Sequence, residues 1–105
     1  MGYVKTPWYV LHAPEIGLKF DEFCKTCNEG GVLDKKTKEL LMLAIAFVFR
    51  SSDCIEEHLE GAFQAGATKE EVVEALFIAM VEAGSTQLIL AKPVYHKYLK
   101  SDGKK

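Results

Sequence analysis

From residue 14 to about residue 92, apolar positions recur at three- and four-residue intervals, and no stretch alternates as a strand would. Pro14 followed by Glu15 suits a first helical turn, and the pattern runs to about Asn28, where Glu29-Gly30-Gly31 ends it. Asp34 is placed to cap a second helix, which carries the run LLMLAIAFVF (Leu40 to Phe49) to about Arg50. Asp53, with Glu56 three residues on, has capping-box spacing and opens a third helix that ends at Gly66. Thr68 with Glu71 repeats the device for a fourth helix, expected to stop near Gly84. Ser85 to about Lys100 reads as a last helical segment, kinked or broken at Pro93. The expectation is an all-α chain forming one domain over residues 1–105, with its core at about 14–92. Residues 1–13 form an arm whose Trp8, Tyr9, Val10 and Leu11 pack on the body or on a neighbouring subunit. Residues 97–105 read as a solvated basic tail.

The apolar positions exceed what one face per helix requires. The second helix is apolar on every side for almost three turns. In the fourth, the stripe Val72, Leu76 and Met80 lies beside a second, Val73, Phe77 and Val81. A helix that is hydrophobic all round has to be covered all round, and chains of this size bury only around two-thirds of their surface. Self-association is the economical answer; a tight monomer with two central helices is the other. The longest unbroken apolar run, ten residues, falls short of the roughly 20 needed to span a bilayer, so no membrane helix is expected. Met1-Gly2 with Thr6 fits a myristoylation pattern, but nothing else favours a membrane.

Charge and cysteine usage narrow the classes further. The formal net charge is −2, and the last nine residues contribute +3, so the rest of the chain is acidic and nucleic acid is not the expected partner. The N-terminus has no charged-then-apolar leader, and the cysteines number three. Both features point to a reducing, cytoplasmic compartment.

Cys54 and His58 form the first chemical constellation. On a helix they share a face, four residues apart. Unpaired N–H groups and the positive end of the helix dipole favour a thiolate at Cys54, and an imidazole could take its proton. Asp53, Glu56 and Glu57 work against this unless they point outward. On spacing alone, a buried structural cysteine with an incidental histidine is the weightier reading. Cys24 and Cys27 make a Cys-Lys-Thr-Cys pair, read as a redox dithiol, half of a zinc site, or two small residues beside Phe20 and Phe23 on a core face. With Cys54 and His58 they would complete a closed tetrahedral zinc set, which ranks below redox chemistry because the domain needs no metal to reach a viable core. His12 and His96 read as surface residues. Phosphate-loop, dinucleotide and serine-nucleophile motifs are absent.

The stretch LDKKTKELLMLAIAFVFRSSDCIEEHLEGAFQAGATKEEVVEALFIAMVEAGS, Leu33 to Ser85, resembles the carboxymuconolactone decarboxylase and AhpD-like alkylhydroperoxidase family, and with the upstream helix the likeness covers most of residues 14–92. The family's redox branch is marked by Glu-x11-Cys-x-x-Cys-x-x-x-His. Glu39, Ser51, Cys54 and His58 keep that register, with Ser51 where the first cysteine belongs. The Gly-Ala-Thr-Lys-Glu-Glu turn is also typical.

The resemblance implies an AhpD-like helical subunit with a central helix pair, assembled into a homotrimer or homohexamer. It implies Cys54 as nucleophile, His58 as base or proton shuttle and Glu39 as helper, with no cofactor and no metal. A hydroxyl at Ser51 can hydrogen-bond a sulfenic acid but cannot resolve one. Resolution then falls to Cys24, to Cys27 or to an external thiol reductant. The leading expectation is a thiol-dependent oxidoreductase that reduces a small peroxide or exchanges disulfides. The alternatives are a lyase acting on a small lactone acid, as in the family's decarboxylase branch, and a non-catalytic oligomeric or zinc-binding module. Twelve residues of helix separate Glu39 from Ser51 by ~18 Å. Glu39 therefore meets the site only if the next helix folds back or another subunit closes the gap.

Overall fold

A computed structural model describes residues 6–100; Met1 and Gly2, and the end of the tail, lie outside the described residues. The described residues contain helices and turns and no strand. They fall into two compact bodies, Met1–Lys35 and Lys36–Lys105.

In the first body, the expected arm contains a short helix, α1 (Trp8–His12), followed by α2 (Pro14–Glu29). Proline at the first position of α2 gives up an N–H that a helix start leaves unpaired anyway. At the other end Gly30 donates to the Thr26 carbonyl and Gly31 takes a left-handed φ of 85°. The short helix packs on the long one through Gly17, where a Cβ would stand 2.9 Å from the Val10 Cα. Tyr9 donates its hydroxyl to Asp21 and sets its ring edge-on to Phe20. Burial, then the Asp21 carboxylate, holds that phenol protonated above its usual range.

The second body is built from α3 (Lys35–Phe49), α4 (Ser52–Gln64) and α5 (Lys69–Val94). Two turns of the same design reverse the chain. At the first, Ser51 N–H bonds Ala46 O and Arg50 N–H bonds Phe47 O; at the second, Ala67 N–H bonds Ala62 O and Gly66 N–H bonds Phe63 O. Each is a Schellman stop, which needs a left-handed residue just past the helix. Gly66 supplies one at φ 95°, and Arg50 adopts φ 58° against its own preference. Two reversals set α3 and α5 running in the same direction with α4 against them. The Lys36–Glu71 ion pair, 3.0 Å between their N-terminal turns, fixes that register. Leu43 is fully buried, and Ala46, Ala62, Ala67, Ala75 and Ala79 are fully or nearly fully buried, small residues that let helices approach closely.

Three expectations are corrected. Asp53 does not cap α4: the Schellman stop leaves Ser51 in extended backbone, so the helix begins at Ser52 and Asp53 lies inside its first turn. Gly84 does not end the fourth helix: it keeps a negative φ and lies inside α5, without the left-handed turn that Gly66 makes. Pro93 does not break it either; the helix passes through the proline and changes two residues later to a π-helical turn, Tyr95–Leu99, closed by Lys100 N–H on Tyr95 O. Thr68 and Glu71 do form the expected capping box.

With Gly84 inside, Lys69–Leu99 becomes one continuous helix, long and apolar enough to cross a membrane by length and composition alone. The unbroken-run criterion did not register it because polar residues such as Glu82 interrupt the pattern. The apolar surplus is visible on the chain's own surface: Leu41, Ile45, Phe49, Phe77, Leu88 and Ile89 are all exposed.

Candidate active site

The reversal at Arg50–Ser51 brings α4 back along α3 and answers the ~18 Å question within one chain. Glu39, in the second turn of α3, is buried, and His58, in the second turn of α4, reaches it: Nδ1 to Oε1 is 2.8 Å. With the carboxylate on Nδ1, a neutral imidazole would carry its hydrogen there and leave the lone pair of Nε2 as acceptor.

The carboxylate sits where it does because residue 61 has no side chain. A Cβ on Gly61 would lie 2.6 Å from the Glu39 Cδ and within 2.8 Å of both its oxygens. The motif reading missed Gly61. The available signal was a glycine inside an otherwise strong helix, where it costs about 1 kcal/mol relative to alanine and therefore invites a packing reason.

Cys54 is the third residue of α4. Ile55 N–H makes the first bond of the helix, to Ser51 O, so the N–H groups ahead of it, including that of Cys54, are at the open end. The thiol is free and exposed, which overturns the buried-structural reading taken from spacing alone. His58 lies one turn further along the same face, about 5–6 Å away between Cβ atoms by helix geometry. Asp53, Glu56 and Glu57 are exposed on the same helix. Ser51, half-buried, is the N-cap residue, but its hydroxyl makes no cap bond.

Glu39 and His58 are thus joined directly, with Cys54 and Ser51 placed toward the open end of the same helix. Cys24 is half-buried and Cys27 exposed, neither is in a disulfide, and both lie on α2 in the first body. Among the described residues no group of three or more His, Cys, Asp or Glu side chains is gathered as a metal would need. A groove of ≈ 600 Å³ runs between the C-terminal end of α3 and α5. Its lining includes Phe47, Leu76, Met80 and Arg50 but neither Cys54 nor His58.

Comparison with known proteins agrees with this frame. Residues 14–95 match the carboxymuconolactone decarboxylase family. A protein from Paracoccus denitrificans, described as uncharacterized protein 4 in the cox locus, is 47% identical over 49 residues, which are 47% of this chain and 44% of that protein. This chain therefore matches under half the length of that relative. A crystal structure of a Methanobacterium thermoautotrophicum protein superposes with a TM-score of 0.74 at 25% identity, over 83% of this chain and 95% of the other. A second, from Thermotoga maritima, gives 0.59 at 33% identity over 84% of each. A glutamate-histidine pair locked between antiparallel helices, a cysteine one turn away and a family match over most of the length converge: this chain belongs to the carboxymuconolactone decarboxylase family.

Proposed function

We propose that the protein is a cytoplasmic, self-associating thiol oxidoreductase of AhpD-like type, acting through Cys54. The observation that carries the reading is the 2.8 Å contact between His58 and the buried Glu39, one helical turn from an exposed thiol. The carboxylate fixes the imidazole tautomer, Nε2 accepts the thiol proton, and the thiolate stands at a helix end whose dipole favours anions. The sulfur attacks the terminal oxygen of a hydroperoxide. The S–O bond forms as the O–O bond breaks, and the alcohol leaves with the proton returned from His58. Sulfur is oxidised to a sulfenic acid and the peroxide is reduced. A second thiol then attacks that sulfur, releasing water and forming a disulfide, and a further thiol regenerates Cys54. Ser51 can hydrogen-bond the sulfenic acid but cannot supply the second thiol, so Cys24, Cys27 or an external thiol does.

Cys54→Ser is expected to abolish peroxide consumption in the presence of a dithiol reductant; full turnover in that variant overturns the reading. Peptide-mapped mass spectrometry after brief, substoichiometric peroxide identifies the resolving thiol. A disulfide from Cys54 to Cys24 or Cys27 assigns it to the chain, and a sulfenic acid confined to Cys54 assigns it to an external reductant.

A second reading, a lyase for a small lactone acid, is favoured by Ser51 in place of a cysteine and by Arg50 on the rim of an apolar groove. It requires activity that survives replacement of all three cysteines. In either case the exposed apolar surface supports assembly into a trimer or hexamer, checked by sedimentation of the full chain.

A further inference from the structure

Two residues of the second body go against local preference, and both line one groove. Arg50 keeps a left-handed φ of 58°. Gly84 lies in the interior of α5, where glycine weakens a helix relative to alanine. Both line the ≈ 600 Å³ groove between the C-terminal end of α3 and α5, and a Cβ on Gly84 would meet nothing within 4 Å, so its missing side chain leaves room there. Broken local rules gathered at one cleft point to a use for the cleft, and its volume falls in the range of small-molecule sites, roughly 300–1,000 Å³.

The groove has a polar end and an apolar end. The helices α3 and α5 run the same way, with Lys36 paired to Glu71. Arg50, fourteen residues beyond Lys36, therefore comes level with Ser85, fourteen beyond Glu71. That places Arg50 near Gly84 and Gln87 in the lining, while Phe47, Met80 and Leu76 lie toward the other end. Eleven residues of helix, ~16 Å, separate Leu76 from Gln87. Arg50 is the one charged residue in the lining, and among the described residues no ion pair engages its guanidinium. Gln87 adds an amide whose Nε2 donates across 3.4 Å to the Ala83 carbonyl, longer than a good hydrogen bond.

A guanidinium meets a carboxylate with two parallel N–H···O bonds, and a single positive charge matches a monoanion. A cleft that follows two helices side by side suits an extended chain. We infer that this groove binds a straight-chain fatty carboxylate, its head on Arg50 and Gln87 and its chain running past Met80 toward Leu76. The site is separate from the thiol chemistry and does not rest on it, since neither Cys54 nor His58 lines the groove.

Isothermal titration of decanoate into the full chain, below its micelle concentration and with helicity followed by circular dichroism, tests the site. Saturable uptake of one decanoate per subunit is expected. Decanol, which lacks the charge, and butyrate, which lacks the chain, should each bind about tenfold more weakly or worse. Arg50→Gln should lower decanoate affinity by about tenfold or more, with Arg50→Lys between it and wild type. Gly84→Leu should lower it as far by filling the groove, and the subunit stays folded because leucine is the better helix former. No uptake, uptake that Arg50→Gln and Gly84→Leu leave unchanged, or decanol or butyrate equal to decanoate overturns the inference. Saturating decanoate that shields Cys54 from alkylation would place the ligand at the thiol and overturns the groove as its seat. Uptake that disappears as subunits associate assigns the groove to a second copy instead.

Discussion

A single missing methyl group decides where the Glu39 carboxylate rests. Gly61→Ala would ordinarily strengthen a helix by about 1 kcal/mol, but here the new Cβ would fall 2.6 Å from the Glu39 Cδ. Overpacking of that kind costs about 1–3 kcal/mol. The variant is therefore expected to be no more stable than wild type in urea unfolding, and its Cys54 to be alkylated more slowly because His58 has lost its orienting partner. A stabilised protein with unchanged alkylation would show that the carboxylate can sit elsewhere. Arg50 poses the opposite case. Its φ of 58° is a conformation that glycine adopts freely and other residues adopt at about 1 kcal/mol or more. Arg50→Gly should raise the unfolding free energy by about that much, read as a higher urea midpoint at unchanged slope, and a lowered activity in the same variant would tie the guanidinium on the groove rim to function.

Among the elements, α5 depends most on its start. The Thr68 hydroxyl accepts from Glu71 N–H at 3.1 Å, and the Glu71 carboxylate accepts from Thr68 N–H at 2.9 Å. Thr68→Ala should cost about 1 kcal/mol of stability, read by thermal or urea unfolding. That backbone bond first, and Lys36 next, hold the Glu71 carboxyl below its usual value of 4.5. A carboxyl depressed in the folded state adds stability that is present above pH 4.5 and is lost as pH falls through the lower folded value. Melting temperature should therefore drop across that acid window, and Glu71→Gln should flatten this part of the profile. The elements were legible where the signal was local. The Gly66 stop and the Thr68 box need only a few neighbouring residues, whereas nothing local marked Arg50 as left-handed. Ser51 displaced Asp53 as N-cap because the preceding stop, not the best capping side chain, set where α4 begins. Gly84 and Pro93 looked like ends because both disfavour a helix, yet neither outweighs the remaining bonds of a 26-residue element.

At the scale of the molecule, the second body is three helices with a core made mostly of alanine, and its apolar surface remains large. That exposed apolar surface is the observation behind the proposed assembly.

The order of residues determined that the chain is helical, where most helices begin, and that Glu39, Ser51, Cys54 and His58 keep a family register. These properties depend on bond patterns within a few residues or on spacing that can be counted. Tertiary structure decided that Glu39 and His58 touch, that Gly61 makes room for them, that Cys54 faces solvent and that Gly84 has empty space beside it. Each of these is a distance between residues that the chain separates by a turn or a whole helix. Such distances are set by how the helices pack, and no local pattern encodes them.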